Sequence, residues 1–339
     1  MPTFQQNFKK YLPALLSIPA LATICALPFL LNLVSNSPAC ARPRRLMSNC
    51  TPGSLDPTKK LSQQFQKACH NCYEKKYAST FSSVFNYVEA VEIDFYDTSN
   101  AVFNTGEKSN SWYVRHGLTG GNDNNCTKKY GDNGLKDCLA DVKKVLDARP
   151  NGPLLVIYLD KKEAWGNTRR PVDLDNLITS IFTDTSKIYR PNDLKGTYAS
   201  AREAAQNNNW PAYSSLNGKV MFVLTGGQTF NHNKTQNTYV QDRGKNAVIF
   251  VAPDLDEIND ISGTPQQFSA ENAKWIVVYN TNEDDRDLTT VVHANSYISR
   301  LWGTKEDSAT YHEALKRCTN FIAFYDYKFN TGLVDGTFK

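Results

Sequence analysis

The residues best suited to catalysis lie where four short apolar runs of the sequence end. They are His70 with Asn71, Glu92 with Asp94, Arg115 with His116, and Asp160 with Lys162. Two imidazoles that titrate near neutral pH can divide the work of a general base and a general acid. Which histidine takes which part stays open, because the sequence does not distinguish them.

The acidic residues of this set indicate a bound cation. Three carboxylates cannot crowd together in the ionised form without one, because like charges raise one another's pKa. Glu92, Asp94 and Asp160, with the side-chain carbonyl of Asn71, offer only oxygen ligands. Hard divalent ions take such ligands in preference to Zn²⁺, so the sequence predicts Ca²⁺, with Mg²⁺ as the alternative.

A cation between two histidines, with basic side chains nearby, suits a phosphodiester substrate. We expect the cation, Lys162 and Arg115 to offset the charge on the phosphoryl oxygens while one histidine protonates the departing oxygen. Taken singly, each signal has an ordinary explanation: a Glu-x-Asp pair can face solvent, and a lone histidine is more often structural. Their recurrence at the ends of four consecutive runs favours an active site.

The runs that carry these residues read as buried strands. Strand candidates are Phe65–Cys69, Ala90–Tyr96, Ser111–His116, Leu154–Asp160, Val220–Thr225, Ala247–Val251, Trp275–Tyr279 and Phe321–Tyr325. Within Ala90–Tyr96 side chains alternate, so Glu92 and Asp94 share a face with Cα atoms roughly 6.6 Å apart. Near-continuous apolar runs such as Leu154–Leu159 are typical of parallel strands buried on both faces.

Helical patterns alternate with these strands. The candidates are Gly134–Ala148, Asp173–Phe182, Pro265–Ala273, Leu288–Trp302 and Ser308–Arg317. Eight strands with helices between them match the size of a (β/α)8 barrel, whose active sites lie at the carboxyl ends of the strands. The sequence therefore predicts one α/β domain, a TIM-like barrel over residues 61–339. A doubly wound open sheet is the alternative, although no glycine fingerprint follows the first strand.

The first 41 residues differ in character from the rest of the 339. Lys9 and Lys10 precede an apolar stretch, and Ala39 and Ala41 form a small-residue exit, as in a secretory signal peptide. The stretch over 12–34 is also long enough for a membrane anchor. We expect a signal peptide or anchor over 1–41, a linker over 42–60, and a secreted or extracytoplasmic body.

Charge and cysteine content are consistent with that location. The net charge of +4 is too weak to indicate nucleic-acid binding. Six cysteines follow the leader, an even number as an oxidising compartment favours. They allow 15 pairings, of which we favour Cys126–Cys138 first and Cys69–Cys72 second.

At these residues the sequence resembles the PLC-like phosphodiesterase superfamily, and most closely its calcium-dependent phosphatidylinositol-specific phospholipases C of bacterial type. His70-Asn71-Cys72-Tyr73 looks like that family's His-Asn-Ser-Tyr, with Cys72 in place of serine. Val91-Glu-Ile-Asp94 resembles its metal-binding Glu-x-Asp, and Asp160-Lys-Lys162 its acid-x-Lys. The likeness covers residues 62–226, and Asp160 stands where some branches have glutamate.

The resemblance implies a barrel enzyme that acts at a membrane surface and cleaves a phosphoinositide-type phospholipid to diacylglycerol and an inositol phosphate. It implies His70 and His116 as the acid–base pair. By the same likeness, Asn71, Glu92, Asp94 and Asp160 would hold Ca²⁺. No separate lipid-binding domain or obligate protein partner is evident.

Other functions remain open at this point. Glycerophosphodiester phosphodiesterases and sphingomyelinase D-like enzymes share the two-histidine frame, although His-Asn rather than His-Arg speaks against the former. The Cys69-x-x-Cys72 spacing also occurs in thiol–disulfide proteins, but those use a small thioredoxin-like domain that this sequence does not resemble. A non-catalytic lipid-binding barrel is a third alternative.

Overall fold

Eight parallel strands form the centre of the computed structural model, which describes residues 50–107, 111–166, 169–226 and 234–339. They are β1 (Gln64–Cys69), β2 (Ala90–Tyr96), β3 (Leu155–Lys161), β4 (Val220–Thr225), β5 (Phe250–Val251), β6 (Val278–Thr281), β7 (Ile298–Trp302) and β8 (Phe321–Phe324). Their order is β5-β4-β3-β2-β1-β8-β7-β6. A parallel bridge between Asp254 and Asn280 joins the two ends of this series. The predicted TIM-like barrel is thus confirmed.

Helices follow most of these strands. The α-helices in the described ranges are Phe81–Val84, Leu135–Ala148, Pro171–Ile181, Pro191–Lys195, Ala201–Gln206, Lys234–Arg243, Ile258–Ser262, Ala270–Ala273, Thr289–Ala294 and Ser308–Lys316. The longest, Leu135–Ala148, buries Leu139, Val142 and Leu146 at three- and four-residue steps. It ends before Pro150, because the residue preceding a proline is disfavoured in a helical conformation.

Strand β2 shows how the barrel positions polar groups. Val91, Ile93 and Phe95 belong to the hydrophobic core, so the alternate residues, Glu92 and Asp94, share the other face of the strand. Both acids are nevertheless buried, with 1% and 0% of their surface exposed. They therefore point into the molecule rather than to bulk water.

Within predicted helix Pro265–Ala273 only Ala270–Ala273 is helical, and within predicted strand Ala247–Val251 only Phe250–Val251 is a strand.

Two other predicted elements were wrong. In the run predicted as strand Ser111–His116, only Tyr113–Val114 is a strand, and it pairs antiparallel with the end of β2 as a short ribbon outside the barrel series. The predicted helix Leu288–Trp302 is the shorter helix Thr289–Ala294 followed by β7. A turn at Ser296, whose φ of 59° lies in the left-handed region, separates the two.

The chain before β1 is attached to the barrel from residue 50 onward. Pro52–Gly53 pairs antiparallel with Asp335–Phe338, which in turn pairs with β1, and Cys50 forms a disulfide with Cys318. Residues 50–60 therefore belong to the domain, although we expected a linker there. The predicted signal peptide or anchor lies outside the described residues, within which no helix has the length and apolar character needed to cross a bilayer.

The cysteine pairs agree with our two preferences. Cys126 and Cys138 form a disulfide that closes the loop before helix Leu135–Ala148. Cys69 and Cys72 are paired across the turn that follows β1. The third pair, Cys50 and Cys318, could not be selected from sequence, because its members are 268 residues apart.

Candidate active site

The carboxyl ends of the barrel strands surround a cavity of about 130 Å³. Six of the eight predicted site residues line it: His70, Asn71, Glu92, His116, Asp160 and Lys162. Asp94 is fully buried beside them, with its carboxylate 3.2 Å from Lys162 Nζ. The two histidines thus meet in one cavity, although 46 positions separate them in the chain.

His70 is held by an acid beneath it. Its Nδ1 contacts the Oε2 oxygen of Glu92, an interaction that favours a proton on Nδ1 and leaves Nε2 as the acceptor on the ring, 3.3 Å from Asn71 Nδ2. Rings of Trp302 and Tyr325 pack around the imidazole, with centroids 5.5 and 4.5 Å away. The turn that presents His70 requires Asn71 to adopt a φ of 58°, a region that asparagine tolerates better than most residues.

Arg300, on β7, is a residue that the sequence reading missed. Its Nη2 donates to Oε2 of Glu92 at 2.8 Å, and its Nη1 donates to Oδ1 of Asn280 at 2.8 Å. Asn280 in turn donates to Asp254 at 2.7 Å. A series of buried hydrogen bonds therefore extends across the barrel from Asp254 to Glu92, which contacts His70. Arg300 is the only cation in this series.

The three carboxylates converge because of strand register. Asp94 on β2 lies opposite Asp160 on β3, and Glu92 is two residues earlier on the same face as Asp94. One oxygen from each of the three acids lies within 4.8 Å of the other two. Lys162 Nζ is 2.7 Å from Asp160 and is the nearest cation to this group.

Each of the four predicted ligands has a buried oxygen without a hydrogen-bond partner among the described residues. These oxygens include Asn71 Oδ1, Glu92 Oε1, Asp94 Oδ1 and Asp160 Oδ1. An unpaired buried oxygen costs stability, whereas a divalent cation takes six to eight oxygen ligands. The residues predicted as ligands therefore fit Ca²⁺, because each still has an oxygen to offer.

Burial and neighbouring charges shift the pKa values of the three acids in different directions. Burial raises the pKa of Asp94 well above its usual value; Lys162 opposes this shift, while Asp160 and Glu92 add to it. Burial likewise raises the pKa of Asp160 despite the nearby Lys162. Burial acts on Glu92 too, but Arg300 and His70 outweigh it and hold its pKa below the usual value. Of the three acids, only Glu92 therefore has a pKa that the charges of the protein hold below its usual value.

His116 lies at the rim, where the cavity opens. It is exposed and follows the Tyr113–Val114 ribbon. Partial burial lowers its pKa; Glu74 opposes the shift, and the cations Lys162 and Lys76 reinforce it. A neutral imidazole at neutral pH is therefore favoured at this position.

Arg115, predicted as a phosphate-binding residue, does not line the cavity. Its guanidinium is 2% exposed and donates to three main-chain carbonyls, those of Thr98, Gly117 and Leu118. It also stacks on Tyr96, with Cζ 4.0 Å from the ring centroid. These contacts therefore do not support the phosphate-binding role expected for Arg115, which stays a prediction.

The thiol–disulfide alternative is not supported by this geometry. Cys69 and Cys72 are 1% and 0% exposed. Thiol exchange requires an accessible sulfur, so their role is to shape the turn that presents His70 and Asn71.

Comparisons with known proteins agree with the geometry. The family model for Ca²⁺-dependent phosphoinositide phospholipase C matches residues 129–262. The calcium-dependent phosphoinositol-specific phospholipase C of a Pseudomonas species, a Gram-negative bacterium, is 33% identical; the match covers 85% of this chain and 99% of that one, with a TM-score of 0.76. The chain belongs to this phospholipase C family. It is therefore a phosphoric diester hydrolase of the phospholipase C type.

Further similar structures extend this comparison. The Pseudomonas phospholipase C in a myoinositol complex is 32% identical over 85% of this chain and 99% of that one, with a TM-score of 0.77. The Ca²⁺-dependent phosphatidylinositol-specific enzyme from Streptomyces antibioticus shares the fold at 20% identity, covering 82% and 99% of the two chains, with a TM-score of 0.68. No curated protein sequence matches this one.

Membership of the phospholipase C family decides between the alternatives left open by the sequence. It favours phosphoinositide cleavage over the glycerophosphodiesterase and sphingomyelinase D-like activities, which belong to sibling families. A non-catalytic barrel would not need the paired Glu92 and His70, the buried acids and Lys162 in one cavity.

Proposed function

We propose that this enzyme cleaves phosphoinositide-type phospholipids at a membrane surface to diacylglycerol and an inositol phosphate, using His70 and His116 for proton transfer and Ca²⁺ as cofactor. The observation that supports this most strongly is the convergence of both imidazoles on one cavity beside the buried, unpartnered oxygens of the four predicted ligands. The similar Pseudomonas phospholipases C are described as calcium-dependent and phosphoinositol-specific.

The protein groups divide the reaction as follows. One imidazole accepts the proton of the inositol 2-hydroxyl as its oxygen attacks phosphorus, and the bond from phosphorus to the glycerol oxygen breaks. The other imidazole, protonated, gives its proton to the departing diacylglycerol oxygen, so that a cyclic inositol phosphate is formed and can then be hydrolysed. Glu92 keeps Nδ1 of His70 protonated, which directs proton transfer to Nε2.

Charge at phosphorus is offset by Lys162 and by the cofactor. When bound by Asn71, Glu92, Asp94 and Asp160, Ca²⁺ would neutralise phosphoryl oxygens whose charge grows in the transition state. Lys162 is already fixed between Asp160 and Asp94, at 2.7 and 3.2 Å, and is 24% exposed toward the cavity. Its ammonium can therefore contact substrate without a large rearrangement.

We also propose that the body works outside the cytosol. The disulfides Cys50–Cys318 and Cys126–Cys138 persist in oxidising compartments and are rare where glutathione keeps thiols reduced. The predicted leader over 1–41 is consistent with export.

The decisive experiment is phosphatidylinositol cleavage with Ca²⁺ and with a chelator, on wild type and on His116→Ala. Chelation should abolish turnover, and the substitution should lower it by at least about 100-fold, because general acid–base catalysis contributes 10²–10⁴. His312→Ala, at an exposed histidine on helix Ser308–Lys316, is the matched control and should keep wild-type turnover. Undiminished turnover after chelation or in His116→Ala would exclude the mechanism.

A further inference from the structure

Another histidine, His293, lies against the Cys50–Cys318 disulfide. A ring nitrogen of His293 and the two sulfurs all lie within 4.8 Å of one another. His293 and Cys318 come just before β7 and β8, so these residues lie at the amino ends of the strands, at the opposite edge of the barrel from His70 and His116. We call Cys50, His293 and Cys318 the sulfur–imidazole cluster.

The imidazole of this cluster has a nitrogen to offer. Nδ1 of His293 is buried, and the described residues supply it with no hydrogen-bond partner. The main chain of Ser62 hydrogen-bonds to the ring, and Phe338 packs edge-on against it with ring centroids 5.2 Å apart. A ring held in this way, with one nitrogen left over, is typical of histidines that bind a metal.

Main-chain contacts hold the two cysteines together independently of the bond between their sulfurs. Cys50 N donates to Lys316 O at 2.9 Å, two residues before Cys318. The residues Pro52–Gly53, just after Cys50, pair antiparallel with Asp335–Phe338. Opening the disulfide therefore leaves the two cysteines adjacent, with Cα atoms that are 5.2 Å apart in the structure.

Helix Thr289–Ala294, which carries the histidine, is fixed to the same place. Its Thr290 Oγ1 donates to Arg317 O at 3.2 Å, and its Thr289 Oγ1 accepts from Thr319 Oγ1 at 3.1 Å. These two hydrogen bonds flank the second cysteine in the chain, and neither involves a sulfur. The three donor atoms should therefore remain close to one another after reduction.

We propose that the sulfur–imidazole cluster is a latent zinc site, closed while the disulfide is intact and able to bind Zn²⁺ when its cysteines are thiols. Two thiolates and an imidazole are ligands that Zn²⁺ prefers, and water can complete the tetrahedron. The oxygen ligands at the active site select a hard cation instead. Because Zn–S bonds are about 2.3 Å long, a tetrahedral site places the sulfurs roughly 3.8 Å apart, which rotation about the Cα–Cβ bonds can provide.

The disulfide and the metal are alternative ways of closing the same connection. A dithiol reductant transfers two electrons and two protons to the sulfur pair, which gives two protein thiols and the cyclic disulfide of the reductant. Zn²⁺ then displaces the two thiol protons, and its charge cancels those of the two thiolates. A newly made chain also carries these cysteines as thiols, so Zn²⁺ can join Cys50 to Cys318 before the disulfide forms.

The test begins with selective reduction. Cys50 is partly exposed, whereas both members of the other two disulfides are buried. Because thiol exchange requires an accessible sulfur, dithiothreitol should open the Cys50–Cys318 pair first, and titration should then count two thiols per chain. The reductant is removed under argon before metal is added, because it binds Zn²⁺ itself.

Zn²⁺ binding is then measured by equilibrium dialysis, with Ca²⁺ in excess so that the oxygen ligands of the active site are occupied. Co²⁺ is a second probe, since thiolate ligands give it charge-transfer absorption that oxygen ligands do not. His293→Gln removes the imidazole and is paired with the control His312→Gln, at an exposed histidine on helix Ser308–Lys316. Cys50→Ser removes one sulfur.

We expect reduced wild type to bind one Zn²⁺ per chain more than the oxidised protein, and its Tm to rise with added Zn²⁺. His293→Gln should raise the Kd of this Zn²⁺ at least about tenfold, His312→Gln should match wild type, and Cys50→Ser should lose the additional ion. Equal uptake by oxidised and reduced wild type, or an unchanged Kd in His293→Gln, would overturn the site.

Should reduction unfold the protein, metal binding becomes a folding measurement. Zn²⁺ must then restore the near-ultraviolet circular dichroism of reduced wild type and fail to restore that of reduced His293→Gln. No recovery in wild type, or equal recovery in both proteins, would overturn the site as well. None of these measurements uses turnover, so their outcome is independent of the proposed function.

Discussion

Gly226 offers a way to perturb the cation site without changing any of its proposed ligands. It follows β4 directly, with a φ of +102°, and a Cβ placed there would be 2.2 Å from Asp160 Oδ1 and 2.4 Å from Lys161 O. Ordinary contact requires at least 3.4 Å. In Gly226→Ala the carboxylate of Asp160 must therefore move by more than 1 Å, which exceeds the deviation of about 0.5 Å that a functional site tolerates.

Gly131 provides the matched control. Its φ of +103° is nearly the same, and a Cβ there meets nothing within 4 Å. Both alanine variants should lose about 1–3 kcal/mol of unfolding free energy from the positive φ. Only Gly226→Ala should lose a further ~1–3 kcal/mol from crowding, and only its Ca²⁺ Kd should rise, by about 10–100-fold, as for other disturbed ligand shells.

Calorimetric titration with Ca²⁺, and the rise of Tm with added Ca²⁺, measure this difference. Wild-type Ca²⁺ affinity in a folded Gly226→Ala would refute the reasoning, because it would mean that Asp160 is not a ligand. Should that variant fail to fold, Asp160→Asn poses the same question: it keeps the size of the side chain, removes its charge, and must weaken Ca²⁺ binding.

Two further predictions concern stability. Arg300→Gln leaves Glu92 buried without its guanidinium contact, so urea unfolding should show a loss of about 3–5 kcal/mol; a loss below about 1 kcal/mol would contradict the role of Arg300 as the charge partner of Glu92. Burial lowers the pKa of His293, so the folded state favours the neutral imidazole. The stability that this preference contributes is complete above the unfolded pKa of about 6.5 and is lost as the pH falls through the folded pKa. His293→Gln should therefore lose less unfolding free energy between pH 8 and pH 5 than wild type does, and equal losses in the two proteins would rule this out.

The sequence was most informative where local rules are strict. Side-chain alternation alone placed Glu92 and Asp94 on one face of a strand, and the structure buries both. The convergence of parallel strand ends then brought His70 and Asp160 to one cavity, since such strands share a carboxyl edge, whereas His116 reaches the same cavity from the antiparallel Tyr113–Val114 ribbon.

The errors of the sequence-based predictions have physical reasons. Arg300 lies in the middle of a strand, where an unpaired charge would be excluded, and its acceptor Glu92 is 208 residues away. The run Leu288–Trp302 reads as a continuous helix because a turn at Ser296 needs no glycine or proline. The Tyr113–Val114 ribbon has the same alternation as a barrel strand, and only its antiparallel partner in β2 identifies it.

The Cys50–Cys318 disulfide joins the segment before β1 to the end of helix Ser308–Lys316, across a sequence separation of 268, and so encloses seven of the eight barrel strands. A peptide bond hydrolysed by a protease in any surface loop between these two cysteines would leave both fragments covalently tethered. Proteolytic nicking of this enzyme would therefore stay invisible on a non-reducing gel, and only a reductant would let the pieces separate.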